Sequence, residues 1–100
     1  MKFNRILIAN RGEIAIRIAR AATDLGLHTV AIYSEDDAQS LHTRMADEVH
    51  RIAGHGVSAY LDIDSVIQAA ENTRCEAIHP GYGFLSENGM FARRCQEAGL

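Results

Sequence analysis

Short apolar runs alternate along this chain with longer stretches whose apolar residues recur at helical spacing. Ile6-Leu7-Ile8-Ala9 and Val30-Ala31-Ile32-Tyr33 are continuous, Ala77-Ile78 is a shorter third run, and residues 49–52 alternate. Continuous runs of this length read as strands of a parallel sheet buried on both faces. Between the first two, residues 12–25 predict a helix stopped by Gly26. Its sheet-facing side should be Ile14, Ile18, Ala21, Ala22 and Leu25, with Glu13, Arg17, Arg20 and Asp24 as a charged stripe opposite. A short helix is expected over 40–45. A third helix opens at Asp62 or Asp64, either of which can cap it, and buries Ile63, Val66, Ile67 and Ala70. The fourth spans 87–98 and buries Met90, Phe91 and Cys95, with Ser86 as its cap and Leu85 and Met90 as a hydrophobic staple. Residues 54–58 are the only flexible-looking stretch. Strand–helix–strand alternation with short loops predicts a single α/β domain over 1–100, a small open parallel sheet flanked by helices with right-handed crossovers.

Composition narrows the function classes. A chain of 100 residues with net charge −3 has one core and no basic footprint for nucleic acid. No apolar run approaches the roughly 20 residues needed to span a bilayer, and no long apolar segment precedes the first charges as in a signal peptide. Cys75 and Cys95 form no CxxC pair and have no His at metal-like spacing, which reads as two reduced, half-buried thiols in a cytoplasmic protein. His28, His42, His50 and His55 are scattered and read as surface or edge residues. Asp36 and Asp37 read as loop solvation.

The densest chemistry lies in His79-Pro80-Gly81-Tyr82-Gly83-Phe84-Leu85-Ser86-Glu87-Asn88. Pro80 fixes its own φ and pushes His79 toward an extended backbone. Gly81 and Gly83 permit shapes that a Cβ forbids. Ligands of open parallel sheets gather outside the carboxyl ends of the strands. This run and Asn10-Arg11-Gly12-Glu13 both leave such ends, so neighbouring strands would make them one polar rim. Tyr82 offers a flat face with a hydroxyl tip, and Gly81 and Gly83 let a ligand approach backbone amides. Glu87 has a plain reading as a charge at a helix start.

The same run closely resembles the HPGYGFLSEN signature of biotin carboxylases. Ile8-Ala9-Asn10-Arg11-Gly12-Glu13-Ile14-Ala15-Ile16-Arg17 resembles the opening of that family, and Ala46-Asp47-Glu48 and Ser58-Ala59-Tyr60-Leu61 fall between in the expected order. Two long motifs at matching separation are far more specific than a lone Gly-x-Gly. Ala53-Gly54-His55-Gly56-Val57 departs from the longer, Pro-containing segment of many relatives and leaves the subfamily open.

The resemblance implies the Rossmann-like, pre-ATP-grasp domain at the N-terminus of a longer enzyme. It implies that Tyr82, Gly83, Glu87 and Asn88 line the biotin and bicarbonate side of the active site. It implies ATP, Mg²⁺ or Mn²⁺, and biotin on a carrier protein as cofactors of the complete enzyme. The remaining biotin carboxylase domains, the biotin carboxyl carrier domain and a carboxyltransferase follow as partners. In that reaction ATP phosphorylates bicarbonate to carboxyphosphate, which releases CO2 for capture by the biotin ureido nitrogen. The groups for that chemistry map downstream of this chain, which alone should be inactive. By the same resemblance, Arg17, Arg20 and Asp24 would meet a partner across a two-fold axis in a homodimer. As plain helix-surface residues, Glu13–Arg17 and Arg20–Asp24 are i,i+4 pairs.

Two other classes compete. A dinucleotide-binding module fits the strand–turn–helix start, with Glu35 after the second strand. Its fingerprint wants three glycines where this turn has one, and Glu13 sits where pyrophosphate would dock. A receiver-like module needs a Lys late in the fold, and Lys2 is the only lysine. Other ATP-grasp ligases share the architecture without both motifs.

Overall fold

The computed structural model describes residues 3–81, 83–86 and 88–100. In chain order the elements are β1 (Arg5–Ile8), α1 (Gly12–Asp24), β2 (His28–Tyr33), a 3-10 turn (Glu35–Asp37), α2 (Leu41–Arg44), β3 (Glu48–Arg51), α3 (Gly56–Tyr60), α4 (Ile63–Asn72), β4 (Ala77–His79) and α5 (Gly89–Glu97). The four strands pair in parallel in the order β3-β2-β1-β4. The expected small parallel sheet flanked by helices is therefore the fold observed. Of residues 54–58, expected to be flexible, 56–58 open the short helix α3.

Alternation along β1 builds two cores. Leu7 and Ala9 join Val30 and Ile32 under Tyr60, Val66, Ile67, Leu85 and Phe91 on one face. Ile6 and Ile8 meet Ala15, Ala19, Ala22 and Leu27 on the other. Helices α1 and α2 thus cover one face while α3, α4 and α5 cover the opposite one. The split follows from topology. The chain steps from β1 to β2 to β3 in one direction, then returns past β1 to β4. Right-handed connections require that reversal to change face. The reversal leaves β1 beside β4, with both following loops emerging from one end of the sheet.

Helix α1 seats differently from the expected pattern. Its buried residues are Ala15, Ile16, Ala19 and Ala22, while Ile14 and Ile18 are half-buried and Ala21 and Leu25 are exposed. Small residues let the helix axis approach the sheet, so the larger isoleucines sit to the side, over the loop after β4. Helices α1, α4 and α5 stop in the same way. Leu27 N–H donates to Ala22 O, Cys75 N–H to Ala70 O and Leu100 N–H to Cys95 O, each with a left-handed residue just before: Gly26, Arg74 and Gly99. This is the Schellman stop, and Arg74 adopts it without being glycine.

Two further expectations change. Helix α5 is capped by Asn88, whose side chain accepts from Phe91 N at 2.9 Å, and not by Ser86. Met90 is 60% exposed, so it forms no staple with the buried Leu85 and lies outside the core that Phe91 and Cys95 join. His42 is buried, not at the surface, because its Nε2 donates to Ile32 O at 3.1 Å on the interior of the sheet. Asp62 caps α4 as expected, accepting from Ser65 N, while Asp64 pairs with Arg94 of α5.

Ala19 tests how α1 is seated. Replacing this nearly inaccessible alanine with leucine should push α1 off β1 and lower unfolding stability by about 1–3 kcal/mol. A reduced urea midpoint is the expected result; an unchanged midpoint would mean that α1 does not rest on Ile8.

Candidate functional site

The rim anticipated from the sequence exists because β1 pairs with β4, with Ile8 opposite His79. The pairing runs past the strands. Ala9 N–H donates to His79 O at 3.0 Å, and the Asn10 carboxamide nitrogen donates to Pro80 O at 2.7 Å. The Asn10 carbonyl oxygen meanwhile accepts from Arg11 N at 2.8 Å, shaping the start of α1. Asn10 is buried, and burying a carboxamide is tolerable only with partners of this kind. Gly81 then turns with φ +74° directly over Asn10. A Cβ there would lie 2.7 Å from Asn10 Nδ2, 2.9 Å from Ile14 Cγ2 and 3.1 Å from Ile18 Cδ1. The half-buried isoleucines of α1 thus press on the loop entry and leave space only for glycine.

The middle of the loop is held from the other side. Phe84 adopts φ +49°, a left-handed backbone that a bulky residue avoids at a cost of order 1–3 kcal/mol. Its ring stacks on Tyr60 with centroids 5.8 Å apart and planes inclined by 16°. Leu85, next along, is buried in the main core. Aromatic stacking and leucine burial offset the backbone strain. Ser86 N–H donates back to Gly83 O, closing the turn.

Tyr60 is in turn anchored by charge. Its hydroxyl donates to Asp37 Oδ2 at 2.6 Å and accepts from Ser34 N at 3.1 Å. The Arg11 guanidinium pairs with Asp37 Oδ1 and lies over the Tyr60 ring, 5.7 Å from its centroid. Burial pushes the Asp37 carboxyl up, but the hydrogen bonds from Tyr60 and Arg11 and the Arg11 charge outweigh it and hold it below its ordinary value. Burial, with the bond to Asp37 next, pushes the Tyr60 hydroxyl up to about 12. Asp37 is therefore a buried carboxylate joining the turn after β2 to the loop after β1 and to α3, not loop solvation. Asp36 does serve its own turn, accepting from Ser34 Oγ and Gly56 N, and those bonds lower it to about 2. Burial holds His42 below its ordinary value. With Nε2 donating, its buried Nδ1 has no partner among the described residues.

Of the residues singled out from the sequence, Gly83 and Asn88 are exposed on the rim, with Asn88 also committed to capping α5. Tyr82 and Glu87 lie outside the described residues. Arg17, Arg20 and Asp24 are all exposed along α1. Arg17 pairs with Glu13 at 3.1 Å, and no second pair joins Arg20 to Asp24 among the described residues. A concavity of about 400 Å³ runs from His79 along α1 to Leu25, but its lining is mostly apolar. Ligand sites combine an apolar lining with converging polar groups, and the rim supplies those groups. Asn10, Asp37, Tyr60 and Phe84 were not picked out as site supports. The motif containing Asn10 was visible; its bond to a residue 70 positions later was not.

These features define an open parallel α/β domain with a preformed polar rim at the reversal of strand order. The family model for the biotin carboxylase N-terminal domain matches residues 2–100. Pyruvate carboxylase of Bacillus subtilis is 54% identical over 99 residues, covering 96% of this chain and 8% of that protein. The biotin carboxylase domain of a single-chain bacterial carboxylase superposes with TM-score 0.94 at 54% identity, covering 97% of this chain and 23% of that one. The biotin carboxylase domain of a thermophilic 2-oxoglutarate carboxylase, solved with bicarbonate, gives TM-score 0.94 at 48% identity, covering 98% and 22%. The chain belongs to the biotin carboxylase N-terminal domain family, and spans less than a quarter of the length of each of these relatives.

Tyr60→Phe tests the charge anchor. It strips a donor from Asp37 and leaves the buried Ser34 N–H unpaired, at an expected cost of about 1–3 kcal/mol near neutral pH. A depressed carboxyl contributes stability that is present above its unfolded pKa and lost as pH falls through its folded one. The gap between wild type and Tyr60→Phe in urea unfolding should therefore narrow below about pH 4. A gap that is constant from neutral to acid pH would separate Tyr60 from Asp37 ionisation.

Proposed function

We propose that this chain is the N-terminal domain, residues 1–100, of an ATP-dependent biotin carboxylase, and that its rim forms the biotin and bicarbonate wall of the active site. The observation supporting this reading is the double anchoring of the 79–88 loop, by Asn10 at its entry and by Tyr60 beneath Phe84. A loop held so firmly at both sides suits a surface that must present backbone amides at fixed positions. In this reading Tyr82, Gly83, Glu87 and Asn88 are the residues of this chain that contact biotin and bicarbonate. A relative solved with bicarbonate supports the anion side of the assignment.

Biotin supplies a ureido nitrogen that accepts the carboxyl group; the residues here orient it. The described residues contain no cluster of three or more His, Cys, Asp or Glu side chains suited to a metal, and the sequence contains no Gly-rich, Lys-bearing phosphate loop. Because the chain spans less than a quarter of these relatives, we place ATP and Mg²⁺ or Mn²⁺ on other domains of the complete enzyme. The exposed Arg17, Arg20 and Asp24 stripe is the proposed contact with a second subunit. The carrier domain and the carboxyltransferase are the proposed functional partners. Among the described residues no helix is long and apolar enough to cross a membrane; the cytoplasmic assignment rests on the free thiols of Cys75 and Cys95.

The acyl acceptor is the finer question. Pyruvate carboxylases recur among the relatives, which favours pyruvate. A single-chain long-chain acyl-CoA carboxylase also matches, at 53% identity over 96% of this chain, and keeps acetyl-CoA carboxylase and fatty acid biosynthesis as the second reading.

Tyr82→Ala in the complete enzyme, assayed with free biotin, should raise the KM for biotin and lower turnover. Unchanged values of both would remove the loop from the biotin site. The isolated chain should show no bicarbonate-dependent ATP cleavage. Such cleavage by pure chain would contradict placing the reactive groups elsewhere.

A further inference from the structure

We propose that Asn10, outside the 79–88 loop, is a positioning residue for biotin carboxylation, because its carboxamide fixes the Pro80 carbonyl and thereby the direction of the chain through Gly81 to Gly83. The geometry is two-sided. Nδ2 donates to Pro80 O at 2.7 Å, while Oδ1 accepts from Arg11 N at 2.8 Å, so rotating the carboxamide would break both bonds. The group is buried, which strengthens its bonds and makes their loss costly. Gly81 rests against the same carboxamide and against Ile14 and Ile18, so the loop entry has one seat. Beyond it, Gly83 O accepts from Ser86 N, and the Phe84 ring stacks on Tyr60. The short segment from Gly81 to Gly83 is thus tied at both ends, Gly81 against Asn10 and Gly83 through Ser86 N. Loss of either point lets that short segment shift by about an ångström, enough to cost on the order of 100-fold when a reacting group must be aligned.

The inference rests on the proposed placement of biotin at this loop, and the test separates the two. Asn10→Asp keeps the acceptor facing Arg11 N and replaces the donor facing Pro80 O with an oxygen. In the complete enzyme with free biotin, it should lower kcat/KM for biotin by about 100-fold while KM for ATP stays within about twofold of wild type. Hydrogen exchange should rise over residues 79–88 and stay unchanged over β1 and β2. Gly81→Ala, whose Cβ would press on the Asn10 carboxamide from the loop side while leaving residue 10 as asparagine, should give the same signature and serves if Asn10→Asp does not fold. Wild-type kinetics in the folded variant would overturn the positioning role. Equal losses toward biotin and ATP would overturn it too, since general packing would then suffice. If Tyr82→Ala impairs biotin use and Asn10→Asp does not, the positioning role alone fails. If Tyr82→Ala has no effect, the placement of biotin fails first.

Discussion

The bond between the Asn10 carboxamide and the Pro80 carbonyl is the constraint on which the rest of the rim depends. Strand pairing brings β1 and β4 together, but sheet hydrogen bonds end with the strands. Past Ile8 and His79 the two chains would separate, one into α1 and the other into the 80–88 connection that holds Gly81 and Gly83. Ala9 and then Asn10 extend the contact by two residues. That extension closes the crevice where an open parallel sheet reverses its strand order, the position at which such folds bind ligands. The bond works because it is buried: in water a carboxamide would gain little by exchanging solvent for a carbonyl.

A second set of forces holds the loop from below. Leu85 is buried and Phe84 stacks on Tyr60, and the charged groups beneath hold Tyr60 in place. Desolvation alone would favour a neutral Asp37. The Tyr60 hydroxyl and Arg11 reverse that preference and keep an ionised carboxylate under the rim. The same carboxylate joins the turn after β2 to the loop after β1 and to α3. These loops are thus linked through one carboxylate and one ring, and strain at Phe84 is held in place by its packing on Tyr60.

Much of this was legible from residue order. Continuous apolar runs located β1 and β2, Gly26 stopped α1, and Asp62 capped α4. What escaped were features decided by distant neighbours. Helix α1 turned its alanines inward because a close approach to the sheet is worth more than burying Ile14 and Leu25. Helix α3 formed in the Gly54-to-Ser58 region because Asp36 accepts from Gly56 N and because Tyr60 has a buried partner. Asn88 took the cap from Ser86 because the turn closed by Ser86 N on Gly83 O leaves Ser86 two residues before the cap position. Asp37 and His42 look solvent-facing in sequence, since nothing local reveals a tyrosine hydroxyl or a strand carbonyl waiting inside. The rim was foreseeable only as a conditional, and the pairing of β1 with β4 supplied the missing condition.

The most direct measurement is a crystal structure of the complete enzyme with free biotin and bicarbonate bound together. The ureido ring should lie against the backbone of residues 81–83, with the Asn10–Pro80 hydrogen bond intact. Biotin seated away from this loop, or a loop that has left Asn10 while biotin is bound, would contradict the account.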